Sequence, residues 1–90
     1  MKIFIKDPDS ILDYSVDWGY WLSDVVDTIS TSTWIVESGL TEITNTNTTT
    51  TSTIWISGGT LGTTYLVTNR ITTAGGRSED KSFYIKIKNK

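Results

Sequence analysis

The sequence predicts an all-β protein, a sandwich of about six to seven antiparallel strands. Threonine is the commonest residue, with 17 copies beside 10 serines, and its β-branched side chain suits half-exposed strands. Apolar residues alternate with polar ones in several segments, and glycine- or asparagine-containing turns separate these segments at regular intervals. No segment keeps the spacing of an amphipathic helix, so we expect no helix.

Length and composition predict one domain, residues 1–90, in which residues 1–6 form an N-terminal arm or an edge strand. A chain of this size buries only roughly 60–65% of its extended surface on folding. It has no cysteine for a disulfide or a thiolate metal site. No apolar run approaches the roughly 20 residues of a membrane helix, and the first residues do not form a signal peptide. We therefore expect no membrane partner and a protein kept inside the producing cell.

The final hairpin has the most regular alternation in the chain. The apolar residues of its two arms should face the core, namely Tyr65, Val67, Ile71, Phe83, Ile85 and Ile87. The lysines between them, Lys86 and Lys88, should face water. Residues 74–77 form the turn, in which Gly75 and Gly76 are expected to adopt positive φ. Tyr65 lies near the start of its strand, where it either forms a tyrosine corner or packs at the edge of the core.

The first part of the chain predicts two strands, residues 2–6 and residues 12–18. A turn should separate them at residues 7–10, because Pro8 fixes φ and the flanking aspartates accept local backbone hydrogen bonds. A helix capped by Asp7 is the alternative for this segment. After the second strand, we expect a break at Gly19, a short apolar return and a loop.

Three further strands should occupy the middle of the chain. The first covers residues 27–36, with a bulge near Ser32 and a core side formed by Ile29, Trp34 and Val36. The second covers residues 40–45 and is anchored by Leu40 and Ile43. The third covers residues 48–57 and follows a turn at residues 45–47. A glycine-rich loop at residues 57–62 then leads to the final hairpin; it lacks the Lys-Ser/Thr ending and the helix of a phosphate loop.

Charge is distributed unevenly along the chain. Residues 1–42 carry eight acids and two lysines, net −6, whereas residues 43–90 carry two acids and six bases, net +4. Nothing here forms the basic patch of a nucleic-acid-binding protein. Asp13 and Asp17 share a strand face, and Lys86 and Lys88 would compensate them if this strand paired with the last one. A calcium site is the alternative, although the alternating acids of a calcium loop are absent.

Aromatic residues are the main candidates for a binding site. Trp18 and Trp34 fit the core side of their strands, whereas Trp55 has the opposite parity to its apolar neighbours. We expect four aromatic residues to contact other proteins: Trp21, Tyr20, Trp55 and Phe4. The chain has no histidine or cysteine and no evident base to activate a hydroxyl, so we expect no catalytic residue, no metal site and no cofactor.

Several motifs resemble those of small virion-associated proteins encoded by tailed phages. They are Lys-Asp-Pro-Asp at residues 6–9, Leu-Asp-Tyr-Ser-Val-Asp-Trp at 12–18, Trp-Leu at 21–22, Asp-Thr-Ile at 27–29, Trp34, Trp-Ile-Ser-Gly-Gly-Thr at 55–60, Gly-Thr-Thr-Tyr at 62–65 and Val-Thr-Asn-Arg-Ile-Thr-Thr at 67–73. This family is often described as fibre–tail adaptors. The resemblance implies an immunoglobulin-like β-sandwich; the Gly-Thr-x-Tyr part is shared with many immunoglobulin-like and PKD-like domains.

The resemblance also implies a non-enzymatic structural protein of the virion, made in the host bacterial cytoplasm. Its partners would be other virion proteins of the tail, neck, fibre or capsid, and several copies would form a symmetric assembly. An adaptor that attaches fibres to the tail or neck is the first hypothesis. Capsid decoration is the second. A glycan-binding module for host attachment is the third, and it would need two exposed aromatic rings in a shallow site.

Overall fold

A computed structural model describes residues 2–89 of the chain. Its strands are β1 (Lys2–Lys6), β2 (Leu12–Asp17), β3 (Ile29–Val36), β4 (Leu40–Asn47), β5 (Thr51–Gly58), β6 (Thr64–Thr73) and β7 (Ser78–Ile87). One sheet has the order β1-β7-β6-β3 and the other the order β2-β5-β4. Neighbouring strands are antiparallel except β1, which runs parallel to β7. The prediction of an all-β protein is confirmed.

The apolar faces of the two sheets pack together into one core. Its buried residues are Tyr14, Val16, Trp18, Leu22, Ile29, Trp34, Ile54, Ile56, Tyr65, Val67, Ile71, Phe83, Ile85 and Ile87. All six residues predicted for the core side of the final hairpin are in this set, and so are Trp18 and Trp34. Burial of such a side chain contributes about 1.5–3 kcal/mol, so β6 and β7 supply much of the driving force for folding.

The prediction of no helix is wrong. Helix α1 (Gly19–Val25) follows β2, and Leu22 is its buried residue. Its seven residues span about two turns, too few to show a repeating apolar stripe in the sequence. The helix ends at Val25, and the next residue, Val26, has a φ of 52° and donates its N–H to the Ser23 carbonyl. The burial of Leu22 in the core therefore stabilises a helix that local sequence propensity does not predict.

Strand β4 corrects two expectations. It continues to Asn47, and the turn lies after it, where Thr48 accepts the Thr51 N–H on its hydroxyl oxygen at 3.0 Å. Ile43 does not anchor the core: its side chain is 54% exposed. The register with β5 shifts between Glu42 and Thr44, so a bulge removes Ile43 from the alternation.

Strand β3 begins two residues later than expected, at Ile29, and its irregularity lies between Ile29 and Thr31 rather than near Ser32. The turn of the final hairpin also differs, because only Gly76, with a φ of 90°, adopts a positive φ and Gly75 does not. The core side of β3 is confirmed for Ile29 and Trp34, whereas Val36 is half-buried.

The expected pairing of the Asp13 strand with the last strand is also wrong. β2 pairs with β5, which places Asp13 opposite Trp55, and β1 takes the position beside β7. Lys86 and Lys88 therefore do not lie across the ladder from Asp13 and Asp17. Instead, the Asp17 carboxylate accepts the backbone N–H of Gly19, the first residue of α1, at 2.8 Å, which forms an Asx turn just before the helix.

A buried polar network connects the two sheets. Asn69, which has no exposed surface, accepts a hydrogen bond from the Trp18 indole N–H at 2.9 Å. Its amide nitrogen donates to the Ser32 hydroxyl at 3.0 Å and to the Thr33 carbonyl at 3.1 Å. The Ser32 hydroxyl in turn donates to Ser52 of β5 at 3.0 Å. The network fixes β3, β5, β6 and the start of α1 relative to one another.

Two further contacts secure the loops at opposite ends of the molecule. The Tyr65 hydroxyl accepts the Thr60 N–H at 3.0 Å, which is the contact that a tyrosine corner requires. At the other end, the Asp27 carboxylate accepts the Gly75 N–H at 3.1 Å and pairs with Arg77 at 2.9 Å. Asp27 therefore ties the β6–β7 turn to the segment between α1 and β3.

Candidate interaction surfaces

Two classes of site find no support in the described part of the chain. Within residues 2–89, no group of three or more histidine, cysteine, aspartate or glutamate side chains is placed to hold a metal ion. No helix in the same range is long and apolar enough to cross a membrane. The chemically distinctive features are instead exposed apolar residues on three surfaces.

The first surface, here called the β5 face, is the outer side of the β2-β5-β4 sheet. Trp55 lies near its middle and is 40% exposed, with Asp13 opposite it on β2 and Thr44 opposite it on β4. The bulged Ile43 on the neighbouring edge strand β4 is also exposed. Alternation along β2 places Asp17 on the same side as Asp13. This face therefore presents a tryptophan beside acidic groups.

The second surface, here called the β7 face, is the outer side of the β1-β7-β6-β3 sheet. Ladder register and strand parity bring five apolar residues to it: Ile3, Ile5, Ile35, Leu66 and Tyr84. Ile3 and Ile35 are the most exposed of them, at 60% and 47%. Tyr84 is the ladder partner of both Ile3 and Leu66, so the apolar side chains form a row across three strands.

Charge on the β7 face is basic or neutralised. Arg70 binds Asp80 through two hydrogen bonds of 2.8 and 2.9 Å, which lower the pKa of the Asp80 carboxyl. Lys86 has the same strand parity as Tyr84 and so lies on this side, next to Ile5. The β5 face, with its aspartates, and the β7 face, with its lysine, thus lie on opposite sides of the sandwich with opposite charge.

The third surface, here called the edge groove, opens between β2 of one sheet and β1 and β7 of the other. It has a volume of about 600 Å³ and is lined by Lys2, Phe4, Ser15, Val16, Asp17, Asp80, Lys81, Ser82 and Phe83. Phe4, Val16 and Phe83 form its apolar floor. The rings of Phe4 and Phe83 meet edge to face with centroids 5.4 Å apart. The groove exists because β1 covers only the second half of β7.

The charges at the rim of the edge groove are not equivalent. Asp80 is engaged by Arg70, and Asp17 accepts a helix N–H. Lys2 lies 5.6 Å from the centre of the Phe4 ring, and Lys81 lies 5.4 Å from the Trp18 ring. Within residues 2–89, ion pairs involve only arginines, so both lysines remain without a carboxylate partner there. The groove therefore holds two lysines and one aspartate without an ion pair, a net positive charge over an aromatic floor.

The four aromatic residues expected at interfaces lie in different places. Phe4 is in the floor of the edge groove, and Trp55 is on the β5 face. Tyr20 lies on α1 and is 91% exposed. It lines a shallow hollow next to the edge groove, and Asp17 lines both. Trp21 is half-buried and packs on Trp18 with centroids 5.8 Å apart. Tyr20 and Trp21 thus lie on α1, whereas Phe4 and Trp55 lie on two other surfaces, so the four residues do not form one site.

Sequence reasoning did not identify the apolar row of the β7 face. The alternation of Ile3 and Ile5 with Phe4 is visible in the sequence, but which side faces outward depends on the parallel pairing of β1 with β7. Lys2 and Lys81 were also missed, because only the fold brings residues so far apart in sequence to one groove. Strand parity alone would have found Leu66 and Tyr84.

One protein family matches most of the chain. A model of the family described as "Podophage GP4 fiber-tail adaptor protein gp77" covers residues 6–86, from the end of β1 almost to the end of β7. The chain belongs to this family, and the resemblance inferred from its motifs is confirmed. The description assigns the family a structural role in a bacteriophage. A search of curated proteins gave no match to the chain.

Proposed function

We propose that this member of the fibre–tail adaptor family joins a fibre to the tail or neck of a phage particle. The match over residues 6–86 is the observation that carries the proposal. An adaptor needs at least two separate protein-binding surfaces. The β5 face and the β7 face fit this need, because each exposes apolar residues and they point in opposite directions.

We further infer that the fold is immunoglobulin-like. The sheet orders β1-β7-β6-β3 and β2-β5-β4 correspond to the two sheets of such a domain, with the first strand moved to the edge of the last one. Trp34 is buried on β3, where immunoglobulin domains place a core tryptophan, and Tyr65 makes the corner contact with Thr60. Helix α1 is an insertion between the second and third strands of this scheme.

The two faces also support an assembly of several copies. The aspartates of the β5 face complement the basic β7 face, so a copy can stack on its neighbour in a head-to-tail, heterologous contact. Such contacts close into rings when the rotation between copies allows it. Assembly should then weaken as salt rises, because screening acts on exposed charges; assembly that does not respond to salt would count against this arrangement.

Binding to purified tails and fibres tests the adaptor function directly. We expect Trp55→Ala with Ile43→Ser to remove one of the two attachments, and Ile3→Ser with Ile35→Ser to remove the other. The control is Thr33→Ala, a substitution on the β7 face that removes no apolar surface of comparable size. Loss of both attachments in either pair, with the fold intact, would show that the two faces do not divide the partners between them.

A glycan-binding role has weaker support from the geometry. A sugar site would need two exposed rings close together, but Trp55 is on the β5 face and Trp21 is half-buried against Trp18, so these two tryptophans do not form a common platform. Saccharide titrations with the intact protein should therefore give no saturable response. Capsid decoration differs from the adaptor function in copy number within the particle.

A further inference from the structure

The edge groove leaves part of a β-strand without a neighbour on one side. β1 pairs with residues 83–87 of β7, and within residues 2–89 the segment 78–81 pairs with β6 alone. The Lys88 N–H donates to the Lys6 carbonyl of β1. The backbone N–H and C=O groups of the even-numbered residues of β7 therefore point away from β6, towards the open edge. The Asp80 N–H, on that side, donates to the carboxylate of the adjacent Glu79 at 3.1 Å. A side chain thus occupies a position where a strand ladder would place a carbonyl.

A strand added beside residues 78–81 would direct every second side chain between the two sheets. There it would meet the apolar floor, formed by Phe4, Val16 and Phe83. The floor is reachable from solvent, because Phe4 is only partly buried. The added strand would also continue the line of β1 along the edge of β7.

The inward side chains of an added strand would also lie near positive charge. Lys81 has the same parity as Phe83 and lies over Trp18, while Lys2 lies over Phe4. Neither lysine has an ion pair within residues 2–89. Of the two rim aspartates, Asp80 is paired with Arg70, and Asp17 keeps its charge because its hydrogen bond comes from a neutral backbone N–H. Because the two lysines outnumber the one unpaired aspartate, a carboxylate on the incoming strand would complement the rim better than a cation would.

We propose that the edge groove binds an extended segment of a partner virion protein by strand addition to the open edge of β7. The segment carries a large apolar residue and an acidic residue two positions apart, so that both point inward. This inference rests on the proposed function, since it describes how one partner of the adaptor is held. The charged residues along the open edge, Glu79 to Lys81, disfavour indiscriminate pairing and favour a complementary strand.

Synthetic peptides test this inference without a known partner. The probe is the acetylated, amidated peptide Thr-Val-Thr-Phe-Thr-Glu-Thr-Val. A composition-matched control, Thr-Val-Thr-Phe-Glu-Thr-Thr-Val, moves the acid to the opposite side of the strand, and a third peptide replaces the acid of the first by lysine. Nuclear magnetic resonance titration reports binding at the amides of residues 78–83, and hydrogen exchange reports the new hydrogen bond at Asp80.

We expect saturable shifts with the first peptide and much weaker ones with the other two. With peptide at about ten times its Kd, exchange of the Asp80 amide should slow about tenfold, because only the free fraction exchanges. Lys2→Glu with Lys81→Glu should lose the acidic peptide and bind the lysine peptide instead. The matched control, Lys86→Glu with Lys88→Glu, changes the net charge equally at the far end of β7 and just beyond it, and should keep the original preference. If the double variant fails to fold, Lys2→Glu alone should weaken binding of the acidic peptide.

Three results would overturn the inference: equal binding of the two isomeric peptides, no saturable shift in residues 78–83, or unchanged binding after reversal of the rim lysines. Each would leave the proposed function in place if tails and fibres still bound through the two faces. Conversely, peptide binding by a protein that attaches to neither tail nor fibre would retain the groove and remove the proposed function.

Discussion

The buried network around Asn69 gives a prediction whose size follows from the structure. Asn69→Ala removes the acceptor of the Trp18 indole N–H and the donor to the Thr33 carbonyl. The indole N–H, which is buried, and the Thr33 carbonyl, which is partly buried, would both lose this partner. A buried unpaired polar group costs about 1–3 kcal/mol, so we expect the free energy of unfolding to fall by about 2–6 kcal/mol. That is a large part of the roughly 5–15 kcal/mol typical of a domain.

Urea unfolding followed by far-ultraviolet circular dichroism measures this loss. Asn45→Ala is the matched control, because the Asn45 amide donates only to an exposed glutamate, and it should change the free energy of unfolding by less than about 0.5 kcal/mol. Trp18→Phe removes the indole donor, so a double-mutant cycle with Asn69→Ala should show a coupling of about 0.5–3 kcal/mol. A loss below about 1 kcal/mol for Asn69→Ala, without coupling to Trp18, would refute the reasoning.

Three further predictions concern the loops and the buried lysine. Hydrogen bonds, chiefly from the Thr73 hydroxyl, lower the pKa of Asp27 to about 2. The contribution of Asp27 to stability should therefore be complete above its ordinary pKa of about 3.9 and disappear as pH falls towards 2. In acid titrations followed by circular dichroism, Asp27→Asn should lose less stability than the native protein across that range. Lys6 is fully buried and donates to the Gly58 carbonyl at 2.8 Å, so Lys6→Met should cost about 1–3 kcal/mol at neutral pH. Burial lowers the pKa of Lys6, so the stability of the native protein relative to this variant should rise with pH up to about 10.4, and a constant difference would contradict this. Both Gly59 and Gly62 have a positive φ, of 103° and 86°, but a Cβ at Gly59 would lie 2.6 Å from Ile87, whereas a Cβ at Gly62 would have no atom within 4 Å. Gly59→Ala should therefore lower the melting temperature more than Gly62→Ala. Equal effects would show that the clash with Ile87 does not matter.

The alternation of apolar and polar residues predicted the strands wherever one face of a strand is buried and the other is exposed. In the final hairpin, period-two alternation identified the core side because one face of each strand is buried and the other is not. The same rule misplaced Ile43, since a bulge reverses parity at one residue and leaves no clear mark in the sequence. Helix α1 was not predicted for a related reason. It has two turns and one buried leucine, so the sequence shows no repeating apolar spacing of a helix.

The surfaces were less predictable than the core, because they depend on strand order. Of the four aromatic residues expected to contact other proteins, Tyr20 and Trp55 are exposed and Phe4 and Trp21 are half-buried. The edge groove combines β1, β2 and β7, and it depends on where β1 stops along β7. The pairing of strands that are far apart in sequence is decided by the packing of whole sheets. For this reason, the expected pairing of the Asp13 strand with the last strand was wrong.

The adaptor function is tested most directly by the number of copies of this protein in purified virions, measured by quantitative mass spectrometry against the portal and major capsid proteins. An adaptor between fibre and tail should be present at the portal's copy number or a small multiple of it, and it should disappear from particles that lack tails. A copy number near that of the major capsid protein would indicate decoration of the shell instead, and absence from the particle would contradict the proposed function.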